Sequence, residues 1–163
     1  MSIRREGKKN IIIDKDIPLP LKATIIRTVR FQEVDMMGVV WHGHYAEYFE
    51  DGRCALGKVY GLSYDDFFRE RIKAPLVNFE IEYMHPLLFG ETFQVETSLL
   101  WTEAVRFNHL YVIRRETDGL VVSQGSTVQL LLDAEDNLLM AWPEYFQRLR
   151  KRWKRGELAS KDG

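Results

Sequence analysis

Apolar side chains recur at steps of three and four residues between residues 42 and 60, which predicts one long amphipathic helix. Acidic side chains come early in this segment and Lys58 comes late, an order that the helix dipole favours. We predict that the helix opens at His42 and stops at Gly61. The positions that share the apolar stripe are Tyr45, Tyr48, Phe49, Gly52, Ala55, Leu56, Val59 and Tyr60.

On either side of this helix the apolar pattern has a period of two, which indicates strands. The first strand is predicted within residues 21–31, with Ala23, Ile25, Val29 and Phe31 on one face and Arg27 as the exception. Four more strands are predicted at 77–83, 93–99, 106–114 and 120–132, and Asp118-Gly119 forms the last turn.

The links between the later strands are too short for crossover helices, so we predict that these four strands form an antiparallel meander. A single apolar helix stripe must be covered, and a curved antiparallel sheet wrapped round it does so. The pattern therefore predicts an α+β domain with a five-stranded antiparallel sheet around one central helix.

The two ends of the chain and one internal segment complete the organisation. Residues 1–20 are expected to form an arm that ends at Pro18 and Pro20, ahead of a domain over residues 21–142. Residues 63–72 predict a short capped helix or a lid. Residues 143–163 predict a helix and tail, with Tyr145, Phe146, Leu149 and Trp153 at helical spacing beneath Arg148, Arg150, Lys151, Arg152, Lys154 and Arg155. These cations are interpreted as a solvated face, with contact to coenzyme A phosphates as the alternative.

Composition narrows the function classes. With 163 residues and 45% hydrophobic content the chain suits one domain, and a net charge of −1 gives no field that recruits nucleic acid or a membrane. Cys54 is the only cysteine, which excludes a disulfide framework, and the histidines lack metal-ligand spacing, so no metal is expected. The N-terminal segment lacks an uninterrupted signal-peptide core, so a cytoplasmic setting is expected.

The segment "VDMMGVVWHGHYAEYFEDGR" carries the most specific chemical signal. An acid precedes a glycine, two apolar residues, an aromatic residue and a histidine, and an aromatic-rich helix with a Glu and an Arg follows. The matching residues are Asp35, Gly38, Val39, Val40, Trp41, His42, Tyr45, Tyr48, Phe49, Glu50 and Arg53.

This order resembles the hotdog-fold acyl-CoA thioesterases, the 4-hydroxybenzoyl-CoA thioesterase group above all, and "FEIEYMHPLLFGETF" is a second similar segment. The resemblance covers roughly residues 20–140. Close bacterial relatives often carry a Tyr at the position of Phe31, so any role of that phenol does not transfer.

The resemblance implies a cofactor-free enzyme that hydrolyses an acyl-CoA or acyl-carrier-protein thioester. Asp35 is then the nucleophile or the general base, where an aspartate in such a segment alone would be interpreted as a turn residue. His42 is implied to orient the carbonyl or water, and otherwise is a half-buried histidine bonded to backbone. Oxyanion and substrate contacts are expected from Gly38, Val39, Val40, Trp41 and Tyr45.

Glu50 is the rival acid, because some hotdog thioesterases use a carboxylate on the central helix. We interpret it instead as an ion-pair partner of Arg53. Two other functions remain open. A hotdog hydratase or dehydratase is disfavoured because no Asp-x4-His dyad is present, and a non-catalytic acyl-binding domain is disfavoured by the retained Asp35. A homodimer or homotetramer is expected, with the active site at the subunit boundary.

Overall fold

Five antiparallel strands form a single sheet in the protein, for which a computed structural model describes residues 16–158. Residues 1–15 of the predicted arm and residues 159–163 of the predicted tail lie outside the described residues. The strands are, in chain order, β1 Leu21–Thr28, β2 Leu76–Tyr83, β3 Thr92–Leu100, β4 Arg106–Arg115 and β5 Val121–Leu130. The helices are α1 His44–Tyr60, α2 Tyr64–Arg69 and α3 Glu144–Lys154, with a 3-10 turn at Phe31–Glu33.

The sheet order is β1-β3-β4-β5-β2, which corrects the predicted meander of four consecutive strands. β3, β4 and β5 do form a meander, but β2 pairs with β5 at one edge and β1 pairs with β3 at the other. The link after β2 crosses the end of the sheet. Its Met84 and His85 amides donate to the Val122 carbonyl at 2.9 and 3.1 Å, and the Gly90 amide donates to the Val29 carbonyl at 3.1 Å. Loop length predicted antiparallel pairing but did not specify which strands are neighbours.

Several apolar positions in the predicted elements are exposed, Phe31 and Val59 among them. Phe31 lies in the 3-10 turn with 76% of its surface exposed, so the strand face predicted to include it ends earlier. Val59 on α1 is 59% exposed, and α1 begins at His44 rather than at His42. The predicted stop is confirmed, because Gly61 has a φ of 73° and its amide donates to the Gly57 carbonyl.

Buried side chains form two cores along α1. The N-terminal core contains Tyr45, Tyr48 and Phe49 of α1 together with apolar residues of β3, β4 and β5. Phe49 stacks on Tyr111 of β4 with ring centroids 4.5 Å apart. Close approach of α1 to β5 depends on Gly125, because a Cβ there would lie 2.5 Å from Phe49 Cε2. The C-terminal core surrounds Leu56 and Tyr60 and includes residues of α2 and α3.

The predicted helix after Pro143 is present and docks on the C-terminal core through buried Phe146 and Trp153. The Tyr145 hydroxyl donates to the Gly61 carbonyl at 2.8 Å, and Trp153 Nε1 donates to the Leu19 carbonyl at 2.7 Å. The helix therefore ties the end of α1 to the residues that lead into β1. Arg150 lies between two indole rings, 3.9 Å from the Trp101 centroid and 4.3 Å from the Trp142 centroid, so its cation is partly screened from solvent.

Candidate active site

Asp35 lies in a short hairpin-like turn ahead of α1. Val34 bridges Val40, and the Asp35 amide donates to the Val39 carbonyl at 2.9 Å. Asp35 Oδ1 accepts the Met37 amide at 2.8 Å, which is the bond of an Asx turn. Among residues 16–158 we find no bond to Oδ2, so the carboxylate both shapes the turn and keeps one oxygen available.

Apolar neighbours do not bury this carboxylate. Met36 and Met37 are 105% and 80% exposed, and Asp35 itself is only partly buried. The apolar residues next to Asp35 in the sequence therefore form an exposed apolar surface and do not enclose the carboxylate.

Three of the four amides expected to stabilise an oxyanion are already engaged. The Gly38 amide donates to Asp35, the Val40 amide to Leu87 and the Trp41 amide to Glu33, at 3.0, 2.8 and 2.9 Å. These bonds fix the turn against the loop after β2, which also bridges Val39 through Leu88. The amides of Gly38, Val40 and Trp41 thus hold the turn and are not free oxyanion donors, while substrate contacts by these residues stay a prediction.

The first turn of α1 is a better source of donors. Gly43 is the N-cap residue, the His44 amide donates to the Trp41 carbonyl at 3.0 Å, and among residues 16–158 no side chain caps this helix end. The amides of a helix's first turn have no partner within the helix, and the helix dipole adds positive potential there. Tyr45 belongs to this turn, but its side chain is 3% exposed and packs against Tyr83 at a ring-centroid distance of 5.1 Å. The phenol of Tyr45 is therefore part of the core. Only the backbone amide of Tyr45 is placed to contribute to the expected oxyanion contact.

His42 lies between the Asp35 turn and α1, and its side chain is exposed. Its ring is 4.8 Å from the Trp41 ring and 6.4 Å from the Tyr83 ring, between centroids. The Tyr83 hydroxyl donates to the His42 carbonyl at 2.9 Å, so the backbone is fixed from β2. Within the part of the chain that the structure describes, no hydrogen bond to the His42 imidazole is found. The imidazole is thus accessible to solvent or substrate.

Glu50 has the structural partners that we expected. Its carboxylate pairs with Arg53 and also accepts the Tyr64 hydroxyl, while Arg53 Nη2 donates to the Tyr64 oxygen at 3.1 Å. Burial, and then the bond to Glu50, raises the pKa of Tyr64. Both carboxylate oxygens of Glu50 are therefore engaged, one by Arg53 and one by Tyr64, which is what the ion-pair interpretation expects.

The sequence analysis did not predict that two titratable side chains, Glu33 and His109, are buried. Glu33 is 9% exposed, and its Oε2 accepts the Arg30 amide at 2.8 Å. Burial, followed by the charge of Glu33, raises the pKa of Tyr48 on α1.

His109 is 4% exposed and lines a cavity beneath α1 and α2. The period of two along β4 was a usable signal for His109, because it places this residue on the same face as Phe107 and Tyr111.

Metal and membrane features are not found among the described residues. Within residues 16–158 no three His, Cys, Asp or Glu side chains come close enough together to hold a metal ion. No helix in the same range is both long enough and apolar enough to cross a bilayer.

Comparison with known proteins gives consistent matches. The model of a family described as the thioesterase-like superfamily matches residues 29–149, which include the Asp35 turn and all of α1. The putative acyl-CoA thioesterase YneP of Bacillus subtilis is 41% identical over 75 residues, 46% of this chain and 52% of that relative. The matched stretch therefore spans about half the length of this relative.

Two further matches cover more of their partners. A putative esterase of Aquifex aeolicus is 30% identical over 101 residues, which are 62% of this chain and 77% of that protein. The crystal structure of a DHNA-CoA thioesterase from Staphylococcus aureus has a TM-score of 0.70 at 23% identity, and covers 83% of this chain and 95% of its own. This likeness confirms the expected hotdog fold.

Proposed function

The chain belongs to the thioesterase-like superfamily, and on that basis we propose that it hydrolyses the thioester bond of an acyl-coenzyme A. In this reaction water adds to the acyl carbonyl, the carbon–sulfur bond breaks, and a carboxylic acid and free coenzyme A leave. The observation that carries the proposal is the family match across the Asp35 turn and α1. The names of the relatives from Bacillus and Staphylococcus refer to coenzyme A thioesters, which favours this carrier over acyl-carrier protein.

Asp35 is the reacting acid in this proposal. Its carboxylate either attacks the thioester carbonyl or takes a proton from the attacking water. The N-terminus of α1 supports stabilisation of the oxyanion, because the first-turn amides that follow His44, together with the helix dipole, stabilise negative charge on the carbonyl oxygen. His42, whose imidazole is accessible between these two elements, orients the carbonyl or the water.

A substrate panel tests the proposal. The purified protein is expected to release free thiol from at least one of short, long, branched or aromatic acyl-CoAs, measured with a thiol-reactive dye. EDTA is expected to leave the rate unchanged, because neither role of Asp35 uses a metal. No release from any acyl-CoA or acyl-carrier protein would contradict hydrolysis and favour an acyl-binding domain. Hydration of an enoyl-CoA without thiol release would favour the hydratase alternative.

We propose a homodimer or homotetramer, on the grounds of the two sheet edges. β2 is an edge strand whose residues are exposed or only partly buried, including Leu76 at 42% and Val77 at 54%. An edge with unpaired backbone groups and exposed apolar side chains favours pairing with another strand. A second copy would cover this edge and place the Asp35 turn at a subunit boundary.

Val77→Lys on β2 is expected to raise the dissociation constant of the dimer at least about tenfold, because a lysine on an edge strand opposes pairing. Thr24→Lys on β1, the opposite edge, is the matched control and is expected to have a smaller effect on the dimer. Light scattering over a concentration series measures both. A wild-type protein that is monomeric at micromolar concentration would refute the assembly.

A further inference from the structure

A cavity of about 240 Å³ lies between the C-terminal half of α1, the start of α2 and the inner face of β4 and β5. It is distinct from the Asp35 turn, because none of its lining residues precedes Arg53. Its walls are mainly apolar, and its rim carries Tyr64 and Lys58. The wall of the cavity includes the side chains of Leu56, Leu62, Phe67, Phe107, His109 and Gln129.

His109 is the unusual member of this wall. It is 4% exposed, and its ring lies between those of Phe107 and Tyr111 at centroid distances of 6.4 and 6.1 Å. Its Nδ1 is buried and has no hydrogen-bond partner among the residues that the structure describes. A buried polar atom without a partner destabilises a fold, and such atoms are rare in native proteins. Nδ1 itself is enclosed by protein, so a ligand in the cavity would meet the Nε2 side of the ring, and Nε2 is not among the buried atoms without a partner.

The charged side chains of the lining lie towards its outer side, where Lys58 and Asp65 are exposed to solvent. Arg53 is paired with Glu50 at the rim, and the Gln129 amide nitrogen donates to the Ala74 carbonyl at 2.7 Å. Burial, and then the neighbouring Arg53 charge, lowers the pKa of His109 to about 3, so its imidazole is neutral at physiological pH. A neutral imidazole has one donor and one acceptor nitrogen, which suits a hydroxyl or a carbonyl better than an ion.

The size of the cavity limits the ligand. An apolar cavity of roughly 150 Å³ binds benzene, so one of about 240 Å³ has room for a six-membered ring with a few further atoms, or a chain of similar volume. We infer that this cavity binds a compact, uncharged and mainly apolar group whose hydroxyl or carbonyl bonds to His109. Two sources have this chemistry. One is the acyl group of the thioester, which rests on the proposed function, and the other is a separate small molecule.

Cys54 provides a reporter for binding. It lines the cavity and is the only cysteine of the chain, so its alkylation is read without interference from other thiols. Burial raises the pKa of its thiol, so iodoacetamide labelling is run at mildly alkaline pH and followed by mass spectrometry. Phenol is the probe, because it combines a compact ring with one hydroxyl, and toluene is its counterpart of similar shape without that group. Phenol is expected to slow the alkylation of Cys54 in a saturable manner.

His109→Phe keeps a planar ring between Phe107 and Tyr111 but removes both nitrogens. It is expected to weaken phenol binding by roughly three- to tenfold, the range of one neutral hydrogen bond, and to leave toluene binding unchanged. His109→Leu is the second variant, and thermal melts check the folding of both. Failure of phenol to protect Cys54 in the wild-type protein would overturn the inference, as would an equal loss for phenol and toluene in the variants.

Kinetics separate the two sources. With the best acyl-CoA from the substrate panel, an increase in KM without a change in kcat in the presence of phenol identifies the acyl group as the occupant. An effect on kcat, or no effect at concentrations that protect Cys54, identifies a separate small molecule. If no acyl-CoA is hydrolysed while phenol still protects Cys54, the proposed function fails and the cavity inference stands.

Discussion

Asp35→Asn is expected to lower kcat/KM for thioester hydrolysis at least about a hundredfold, the low end of what a positioned acid or base contributes. Asparagine retains a side-chain oxygen that can accept the Met37 amide, so the Asx turn should persist. The substitution removes the charge and the ability to attack a carbonyl or to take a proton. Steady-state rates, with thermal melts to verify folding, measure the effect.

Glu50→Gln is the matched control, because it makes the same change at the rival acid. Its amide still reaches Arg53 and Tyr64 but no longer neutralises the guanidinium, so a modest loss of stability and little change in rate are expected. The hydrolysis rate of His42→Ala is expected to lie between those of Asp35→Asn and Glu50→Gln. An active Asp35→Asn beside an inactive Glu50→Gln would move the reacting acid to α1.

The two chemical roles of Asp35 can be separated by isotope labelling. In a single turnover in ¹⁸O-water, water that opens an acyl–aspartyl anhydride at the aspartyl carbonyl leaves the label in the Asp35 peptide. A general base never exchanges its own oxygens in this way. Label in the peptide that contains Asp35, measured by mass spectrometry, therefore identifies Asp35 as a nucleophile that is released by attack at its own carbonyl.

Gly125→Ala is expected to cost about 2–3 kcal/mol of unfolding free energy, at the upper end of the range for overpacking. A Cβ at this position meets the Glu80 carbonyl oxygen on β2 and the Phe49 ring on α1 at once. Neither neighbour yields easily, because one is backbone of a paired strand and the other is stacked on Tyr111. Denaturant unfolding at fixed protein concentration measures the change.

Ser126→Ala, at the adjacent position of β5, is the control and is expected to stay within about 0.5 kcal/mol of the wild-type protein. A Gly125→Ala protein as stable as the wild type would show that α1 does not pack on β5 as closely as described.

Prediction from the sequence succeeded where one physical signal dominates. The stripe on α1 combines an apolar face, ordered charges and a glycine stop, so both its existence and its end were predicted. The capped helix α2 was predicted correctly, and Ser63 receives the Asp66 amide as a cap should. The place of β2 in the sheet order was predicted wrongly. A period of two along a strand indicates which face is buried, but it contains no information on which strand is the neighbour.

The candidate site shows the same division. The residue types of the Asp35 segment predicted a turn before a helix, and such a turn is present. The engagement of the Gly38, Val40 and Trp41 amides depends on contacts with Leu87 and with residues of the same turn, which spacing along one segment cannot specify. The exposure of Phe31 and Val59 likewise depends on where the sheet ends relative to each element.

The two cores of α1 have a consequence for how such a protein can diverge. Residues beside the Asp35 turn, such as Val40 and Tyr45, pack in the N-terminal core, whereas Leu56, Phe67 and Phe107 around the cavity pack in the C-terminal core. Substitutions that reshape the cavity therefore act on a core that does not support the turn. Under selection, descendants of this chain can acquire new ligand preferences at one end of the helix while the other end keeps the geometry of the Asp35 turn.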